Sequence, residues 1–447
     1  MDEVLPFYVQ KSILDNIKNL IILLKIERVH KTWYNIVHNR ISQSDEWREI
    51  CLKHISTNSI CTIMTRSFPR LSITNFKEIS DSNIWFCTFR SYRRWLLKWK
   101  FQINHETIDN LSKESFQSEK IICTAIWDKY FAVGTTKAFV HLFNIDDLSE
   151  PFLTIDNKQY LSQIIFWYPS KDSEELILVT RSSEKKIKFW NSSNGTNIPT
   201  DHDYKAKYLC VGTMNNFFGE YHDVITEYER TLENVTSKRN IHLHTTADDV
   251  FFVLFSQEEK LLKLLLDSLS IYLYEIKVPS NDKESLQLMH RRKSVISNII
   301  YPKNDFYYNL LSLGNKQITK FFLRKNKLYY LAEDIAVLVS ENNQSILVHE
   351  ESKKWKEYNP FEKFTGIITS AVLHGKTFIF GIHTGEVQIY VLENLEQLKS
   401  SQLNPDSSIK YKFIQNEPII SLNITETQRK LYILASTRYE THVITFF

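Results

Sequence analysis

The chain has 447 residues and a mass of 53.0 kDa, and 43% of its residues are hydrophobic and 24% charged. This composition is typical of a globular protein and excludes a wholly disordered chain. The 55 basic and 52 acidic residues leave a net charge of +3, which does not indicate a nucleic-acid coat or a polybasic membrane binder. Glycine accounts for only 9 residues, which argues against glycine-rich phosphate-binding loops.

The five cysteines have neither disulfide nor zinc-site spacing. Their number is odd and no CxxC pair occurs, so we expect buried thiols in a reducing compartment. The N-terminus lacks the basic stretch of a signal peptide, and no apolar run approaches the roughly 18 residues of a membrane helix. We therefore expect a soluble protein of the cytoplasm, the nucleus or both, without a membrane partner.

The first 55 residues predict three amphipathic helices. Pro6 stands where a proline opens a helix. A first apolar face is formed by residues at three- and four-residue steps, namely Ile13, Ile17, Leu20, Ile21 and Leu24. The same period predicts a second helix over 26–37 and a third over 47–54. Such a short segment buries little core, so we expect some apolar surface to remain for a partner, with a plain helical cap as the alternative.

The opening of this segment resembles an F-box. The family pattern begins with Leu-Pro, which Leu5 and Pro6 match. Its apolar pair about eight residues later corresponds to Ile13 and Leu14. Its Asp-Leu-apolar tripeptide is similar to Asn19-Leu20-Ile21. These matches occur in the order that the family pattern requires.

The second half of the segment continues the resemblance. Val29 and Trp33 match the Val-x-x-x-Trp motif of the family, and Asp45, Trp47 and Arg48 match its closing acidic-x-Trp-Arg motif. Two positions depart from the pattern, because Phe7-Tyr8 replaces an acidic residue and His30 replaces a small one. The resemblance implies docking of an Skp-type adaptor through Leu5, Pro6, Ile13, Leu14, Leu20, Val29 and Trp33.

Residues 84–99 are rich in tryptophan and arginine and predict one helix. Tyr92, Trp95 and Trp99 lie at helical spacing, which favours core packing over stacking on nucleic-acid bases. We therefore predict no nucleic-acid partner. The stretch is also similar to the linker of F-box/WD-repeat proteins, and we assign residues 56–103 to a helical linker after an F-box at 1–55.

From about residue 120 onward a pair of adjacent strands recurs. The predicted hairpins cover residues 130–145, 175–191, 216–230, 260–276, 334–350, 378–393 and 430–447. Most spacings are 40–55 residues, which suits a four-stranded propeller blade. The interval from 276 to 349 is too long for one blade and holds a further hairpin at 306–324. We predict an all-β propeller over 104–447 with seven blades, and eight as the alternative.

This region resembles a degenerate WD-repeat propeller. No repeat ends in Trp-Asp, and Trp190-Asn191 comes closest. Asp267 is similar to the aspartate in the hairpin of the family, and the low glycine content predicts that turn glycines are replaced. A β-sandwich is disfavoured by the length and the number of hairpins. Because the chain ends in a hydrophobic strand, we expect residues near 105–120 to pair with the hairpin at 430–447.

Motifs of enzymatic chemistry are absent from the sequence, so we predict no catalytic residue, no metal and no cofactor. His242 and His244 alternate on a strand, but a third zinc ligand is missing. The basic run His290–Ser294 predicts a solvated loop, with Ser294 as a candidate kinase target. Arg181 and Arg438 lie at hairpin turns, where they are candidates for binding an anionic substrate segment.

The F-box/WD-repeat resemblance implies a non-catalytic function. It implies a substrate-recognition subunit of an SCF-type cullin–RING ubiquitin ligase. The helices would bind the Skp-type adaptor and the propeller would bind a protein substrate. The alternative is a propeller scaffold for protein–protein interaction without a ligase role. Co-purification with an Skp-type adaptor separates the two.

Overall fold

The structure is a computed structural model. It describes residues 7–26, 31–55, 57–70, 79–96, 103–108, 119–169, 175–211, 217–222, 224–242, 250–256, 261–266, 271–276, 288–294, 306–308, 320–324, 327–331, 336–339, 346–349, 355–358, 368–392, 408–413, 416–427 and 430–447.

Helices precede strands along the described chain. They are α1 (Phe7–Asp15), α2 (Leu20–Ile26), α3 (Lys31–Ser42), α4 (Glu46–His54), α5 (Thr57–Ser67) and α6 (Ser82–Leu96). The single apolar face predicted from Ile13 to Leu24 is divided between α1 and α2. Asn19 caps α2, because its Oδ1 accepts hydrogen bonds from the backbone N–H groups of Ile21 (3.0 Å) and Ile22 (3.2 Å). Of the second predicted helix, α3 contains residues 31–37, whereas residues 27–30 lie outside the described residues.

A single hydrophobic core joins α1 to α6. The Trp47 ring of α4 is fully buried and lies 5.4 Å from the ring of Phe86 and 5.2 Å from that of Phe89, both on α6. The Cys51 thiol donates to the Trp85 carbonyl oxygen at 3.4 Å, and its burial raises its pKa to about 12. The segments predicted as F-box and linker therefore pack around one shared core.

The β-region begins with β1 (Ile103–Ile108) and continues in four-stranded antiparallel sheets. The first is formed by β2 (Ile121–Trp127), β3 (Tyr130–Thr135), β4 (Phe139–Asn144) and β5 (Leu153–Asp156). The second is formed by β6 (Leu161–Trp167), β7 (Ile177–Ser182), β8 (Ile187–Asn191) and β9 (Asn197–Ile198). The third is formed by β10 (Tyr208–Val211), β11 (Phe217–Tyr221), β12 (Val224–Arg230) and β13 (Val235–His242). The fourth is formed by β14 (Val250–Ser256), β15 (Leu261–Leu266), β16 (Ile271–Ile276) and β17 (Leu288–Ser294).

A six-stranded sheet follows, formed by β18 (Phe306–Tyr308), β19 (Lys320–Arg324), β20 (Lys327–Leu331), β21 (Ala336–Val339), β22 (Ile346–His349) and β23 (Trp355–Tyr358). The next sheet is formed by β24 (Ile368–His374), β25 (Thr377–Ile382), β26 (Glu386–Val391) and β27 (Ile409–Lys412). The last holds β28 (Ser421–Glu426), β29 (Leu431–Ser436) and β30 (Thr441–Phe446), to which β1 is added.

The seven predicted hairpins are all confirmed. Their strand pairs are β3–β4, β7–β8, β11–β12, β15–β16, β21–β22, β25–β26 and β29–β30. The further hairpin predicted at 306–324 is also formed, by β18 and β19, but it joins the sheet of β21 and β22. The prediction of a loop over His290–Ser294 is wrong, because this run belongs to β17 and pairs with β16.

The last sheet joins the two ends of the β-region. β1 pairs antiparallel with β30, and Ile103 stands opposite Phe446. This confirms the expected pairing with the C-terminal hairpin, beginning two residues before the range we predicted. His442 of β30 stacks on Phe413 at 3.8 Å, and its burial, together with the nearby His105 of β1, lowers its pKa to about 4. The imidazole rings of His442 and His105 are therefore uncharged at neutral pH, and both pack on the ring of Phe413.

Neighbouring sheets contact one another through their first strands. β2 contacts β6 and β28, β6 contacts β10, and β10 contacts β14. On the other side, β24 contacts β28 and β19. Side chains join two of these strands, since the Asn423 amide of β28 donates to Thr124 Oγ1 of β2 at 2.8 Å. The first four sheets thus succeed one another in space in chain order, and the sheet of β24 lies between the six-stranded sheet and the last one.

Several turns adopt left-handed backbone without glycine, as the low glycine content predicts. Positive φ angles of 49° to 69° occur at Asp128, Ala138, Lys158, Lys185 and His222. This conformation costs a residue with a Cβ more than it costs glycine, so these turns carry local strain. No helix in the described residues is long and apolar enough to cross a membrane.

Candidate functional site

The residues predicted to dock an adaptor fall into three groups. Leu5, Pro6 and Val29 lie outside the described residues. Ile13 is 43% exposed on α1, whereas Leu14 (1%) and Leu20 (6%) belong to the helical core. Trp33 is half-buried and its Nε1 donates to Gln10 Oε1 at 2.8 Å. Among the described members of the set, Ile13 is thus the one with an exposed apolar side chain.

Further apolar side chains of the first three helices are exposed, and the sequence patterns did not single them out. They are Tyr8 (73%) on α1, Ile22 (46%) on α2 and Tyr34 (39%) on α3. We call Tyr8, Ile13, Ile22 and Tyr34 the apolar helical surface. Helix α2 explains part of it, because its sequence LIILLKI is apolar on every face and a helix at the edge of a core cannot bury all of them. That all-round hydrophobicity is the signal from which Ile22 could have been predicted.

The helices α5 and α6 pack against the β-region at turns between first and second strands. Ser67 Oγ at the end of α5 donates to Glu426 Oε1 at 3.0 Å, and Arg94 Nη1 of α6 donates to the Thr427 carbonyl oxygen at 2.8 Å. Both acceptors lie at the turn between β28 and β29. Arg94 is also 4.0 Å from Glu426 Oε2, so charge adds to the hydrogen bonds there.

A second contact of α5 and α6 is made at the turn between β24 and β25. His374 at the end of β24 is buried, with its Nδ1 3.1 Å from Arg66 Nη1 and its Nε2 3.3 Å from Ser91 Oγ. Burial lowers the pKa of Arg66 to about 9 and, together with the Arg66 charge, lowers the pKa of His374 far below its ordinary value. The adjoining Gly375 has φ +57°, and a Cβ there would lie 3.3 Å from Ile63 Cδ1 of α5. We call these two contacts the helical junction.

The opposite ends of the strands lie away from the helical junction. In each sheet the second strand starts at the end that faces the helical junction and finishes at the turn before the third strand. The turns between second and third strands therefore lie at the far end of each sheet. Loops that join the fourth strand of one sheet to the first strand of the next reach the same end. We call this end, with residues such as 136–138, 183–186 and 437–440, the distal side.

Arg181 and Arg438 both lie on the distal side, at equivalent turns of the second and last sheets. Arg181 is the penultimate residue of β7 and is half-buried. Its Nε donates to Ser162 Oγ at 3.1 Å and its Nη1 donates to the Lys207 carbonyl oxygen. Its charge also reaches Cys123 and partly offsets the burial that raises the pKa of that thiol. Arg438 is exposed in the turn between β29 and β30. The structure thus puts Arg181 in internal contacts and Arg438 at the surface.

A buried polar triad connects the second sheet to the loop before it. Thr180 Oγ1 of β7 donates to Asn157 Oδ1 at 2.8 Å and accepts from Trp190 Nε1 of β8 at 3.0 Å. Asn157 lies in the loop between β5 and β6. Each of these three buried side chains therefore has a hydrogen-bond partner, as buried polar groups in folded proteins generally do.

The first sheet buries a related polar group, whose threonine lies two positions further along the second strand. Thr135 pairs with Ile121, the first residue of its sheet, as Ser182 pairs with Leu161 in the second sheet. Thr135 Oγ1 of β3 donates to Glu119 Oε1, and His141 Nε2 of β4 lies 3.8 Å from the same oxygen. Burial lowers the pKa of His141, and the Glu119 carboxylate opposes that shift. In both sheets a threonine hydroxyl of the second strand thus donates to a polar side chain of the loop before the sheet, although at different positions along the strand.

The described residues contain no group of three or more His, Cys, Asp and Glu side chains that could hold a metal ion. The side chain of His242, all of His244 and Asp267 lie outside the described residues. Compared with models of known protein families and with curated proteins, the chain matches none of them.

Proposed function

We propose that this chain is the substrate-recognition subunit of an SCF-type cullin–RING ubiquitin ligase. Its helices dock an Skp-type adaptor, its β-region is a propeller that binds a protein substrate, and the chain itself catalyses no reaction. It acts in the cytoplasm or nucleus by holding a substrate lysine near a charged ubiquitin-conjugating enzyme, which raises the effective concentration of the two reactants.

The observation that carries this proposal is the two-ended arrangement of the chain. The apolar helical surface lies on helices whose common core also includes α5 and α6, and those two helices pack on the β-region at the helical junction. The distal side lies at the other end of the sheets. A subunit that must hold one protein at a fixed position relative to another needs two separate surfaces joined by a buried, hydrogen-bonded contact.

The strand order supports a propeller as the form of the β-region. Four-stranded antiparallel sheets follow one another in chain order, neighbouring first strands contact one another, and β1 completes the sheet of the last hairpin. In two of the sheets a buried threonine hydroxyl of the second strand donates to a side chain of the loop before the sheet, which supports related units. We propose seven blades, of which the sheet β18–β23 is one widened blade; an eight-bladed form would divide that sheet in two.

Adaptor binding tests the proposal directly. The full-length chain is expected to co-purify with an Skp-type adaptor, and the double variant Ile13→Glu, Ile22→Glu to lose it, since two carboxylates would be buried without partners at the interface. A matched control is Leu52→Glu, Ile103→Glu, because these side chains are 43% and 45% exposed on α4 and β1. The control is expected to keep the adaptor.

Two results would contradict the proposal, the first its ligase role and the second its adaptor-binding surface. One is a wild-type chain that does not bind the adaptor while remaining folded, which would leave the protein-interaction scaffold as the function. The other is a double variant that binds the adaptor as the wild type does, which would remove the apolar helical surface from the interface.

A further inference from the structure

Five lysines gather on the distal side of the second sheet. Lys185, Lys186 and Lys188 lie in and after the turn between β7 and β8, Lys158 in the loop before the sheet and Lys205 in the loop after it. We call them the lysine cluster. Three of them form the short basic run KKIK, and Lys158 and Lys205 join it from the two flanking loops.

Backbone and side-chain contacts bring the members of the lysine cluster together. Lys186 and Lys205 are partners in an antiparallel β-bridge, and the Ala206 N–H donates to the Lys185 carbonyl oxygen at 2.8 Å. Lys188 Nζ donates to the Asn157 carbonyl oxygen at 2.7 Å, next to Lys158. The three chain segments are therefore neighbours.

The charges of these lysines act on one another. The pKa of Lys188 is lowered chiefly by burial and further by the charges of Lys158 and Lys186, while Asp156 opposes the shift. Glu184 lies 3.9 Å from Lys186 Nζ, but its carboxylate is 70% exposed. Like charges held together in this way repel one another, so the folded chain gains free energy when an anion binds among them.

Two members of the lysine cluster occupy strained backbone. Lys158 has φ +59° and Lys185 has φ +69°, conformations that glycine and asparagine adopt at lower cost. Local backbone geometry therefore does not account for lysine at either turn. Both lysine side chains are exposed at the distal side, where an anion can reach them.

We propose that the lysine cluster docks a segment of the substrate protein rich in aspartate and glutamate. This inference rests on the proposed function and gives it a substrate class. Lysine ammonium groups are separate point charges that suit successive carboxylates along a peptide. Arg181, the guanidinium next to the cluster that could bind a phosphate bidentately, donates instead to Ser162 and to the Lys207 carbonyl oxygen. Exposed Tyr160, two residues after Lys158, adds apolar contact area at the same surface.

The test is direct binding by the purified full-length chain. The probe is a fluorescently labelled 12-residue peptide of alternating glutamate and glycine, followed by fluorescence polarisation. The cluster variant is Lys158→Asn, Lys185→Asn, Lys205→Gln, in which asparagine suits the two left-handed positions and the fold is preserved. We expect about tenfold weaker peptide binding by this variant, from three exposed charge contacts of modest strength each. The control variant Lys11→Gln, Lys53→Gln, Lys129→Gln removes three exposed lysines elsewhere and is expected to bind like the wild type.

Each other outcome overturns the inference. Wild-type chain that does not bind the peptide, a cluster variant that binds it unchanged, or equal losses in both variants would remove the lysine cluster as its site. An oligothymidylate of equal charge that binds more tightly, and only when the cluster is intact, would replace the protein segment with a nucleic acid. The cluster variant is expected to co-purify with the adaptor normally, so failure here is distinct from failure of the ligase role.

Discussion

Thr180 makes both hydrogen bonds of the triad in the second sheet. In a Thr180→Val variant the side-chain shape is nearly kept, but Trp190 Nε1 loses its acceptor and Asn157 Oδ1 its donor. Leaving such buried groups without partners costs about 1–3 kcal/mol. We expect the free energy of local opening of β7 and β8, measured by amide hydrogen exchange, to fall by that amount.

An exposed threonine provides the comparison. Thr196 Oγ1 donates to Asn194 Oδ1 at 2.8 Å at the surface, where water replaces a lost partner. Thr196→Val is expected to change the opening free energy by less than about 0.5 kcal/mol. Equal effects of the two substitutions would show that the triad contributes no more than a surface contact.

At the scale of the element, β30 is the strand on which the closure of the last sheet depends. It pairs with β29 on one side and β1 on the other, and Val443, Ile444 and Phe446 are fully buried. Deleting residues 441–447 would leave two unpaired edges and an open core. We expect the truncated chain to be lost from the soluble fraction, because exposed hydrophobic edges aggregate.

Deletion of Phe447 alone is the control, since this residue follows β30 and is partly exposed. That variant is expected to express and melt like the full chain. If removal of 441–447 also left expression and melting temperature unchanged, β30 would not be needed for the β-region to fold.

Elements with strong local signals were predicted from the sequence. The hairpins were found because aliphatic and aromatic strands alternate with short polar turns, a pattern local to some 16 residues. The division of the first helix was missed because a continuous apolar period hid the cap at Asn19. The strand β17 was missed since the charge of His290–Ser294 favours a loop, whereas pairing with β16 depends on the neighbouring strand.

The apolar helical surface and the lysine cluster were less predictable, because both depend on contacts between separate segments of the chain. Ile13 was anticipated by its position in a motif, but Tyr8 and Ile22 are exposed because of how α1 and α2 pack. The lysine cluster depends on a bridge between Lys186 and Lys205 and on a bond from Lys188 to the loop of Lys158. Contacts between separate segments leave no periodic signal in a single sequence.

At the scale of the whole molecule, the helical junction fixes the helices on the β-region. The double variant Arg66→Met, Arg94→Met removes two charged donors from it, and a buried charged hydrogen bond contributes about 1.5–3 kcal/mol. We expect faster amide hydrogen exchange in α5, in α6 and at the turn between β24 and β25. Exchange within α1 to α3 is expected to change less, because the two substituted arginines lie on α5 and α6.

Arg90→Met, Arg93→Met is the matched control, with two half-buried arginines of α6 whose loss leaves those junction hydrogen bonds in place. It is expected to leave exchange at the turn between β24 and β25 at the wild-type rate. If the junction variant exchanged there as slowly as this control, the two arginines would not be what holds the helices and sheets together.

The pairing of β1 with β30 has a consequence for biosynthesis. Ile103 and its partner Phe446 are separated by nearly the whole β-region, and a ribosome adds about 5–20 residues per second. The strand β1 therefore waits roughly 20–70 s for its partner to be translated. During that time the helical core can fold, whereas the last sheet cannot be completed until the final residues emerge. We expect nascent chains stalled before residue 441 to bind chaperones that recognise unpaired strands, and release of the finished chain to coincide with formation of the last sheet.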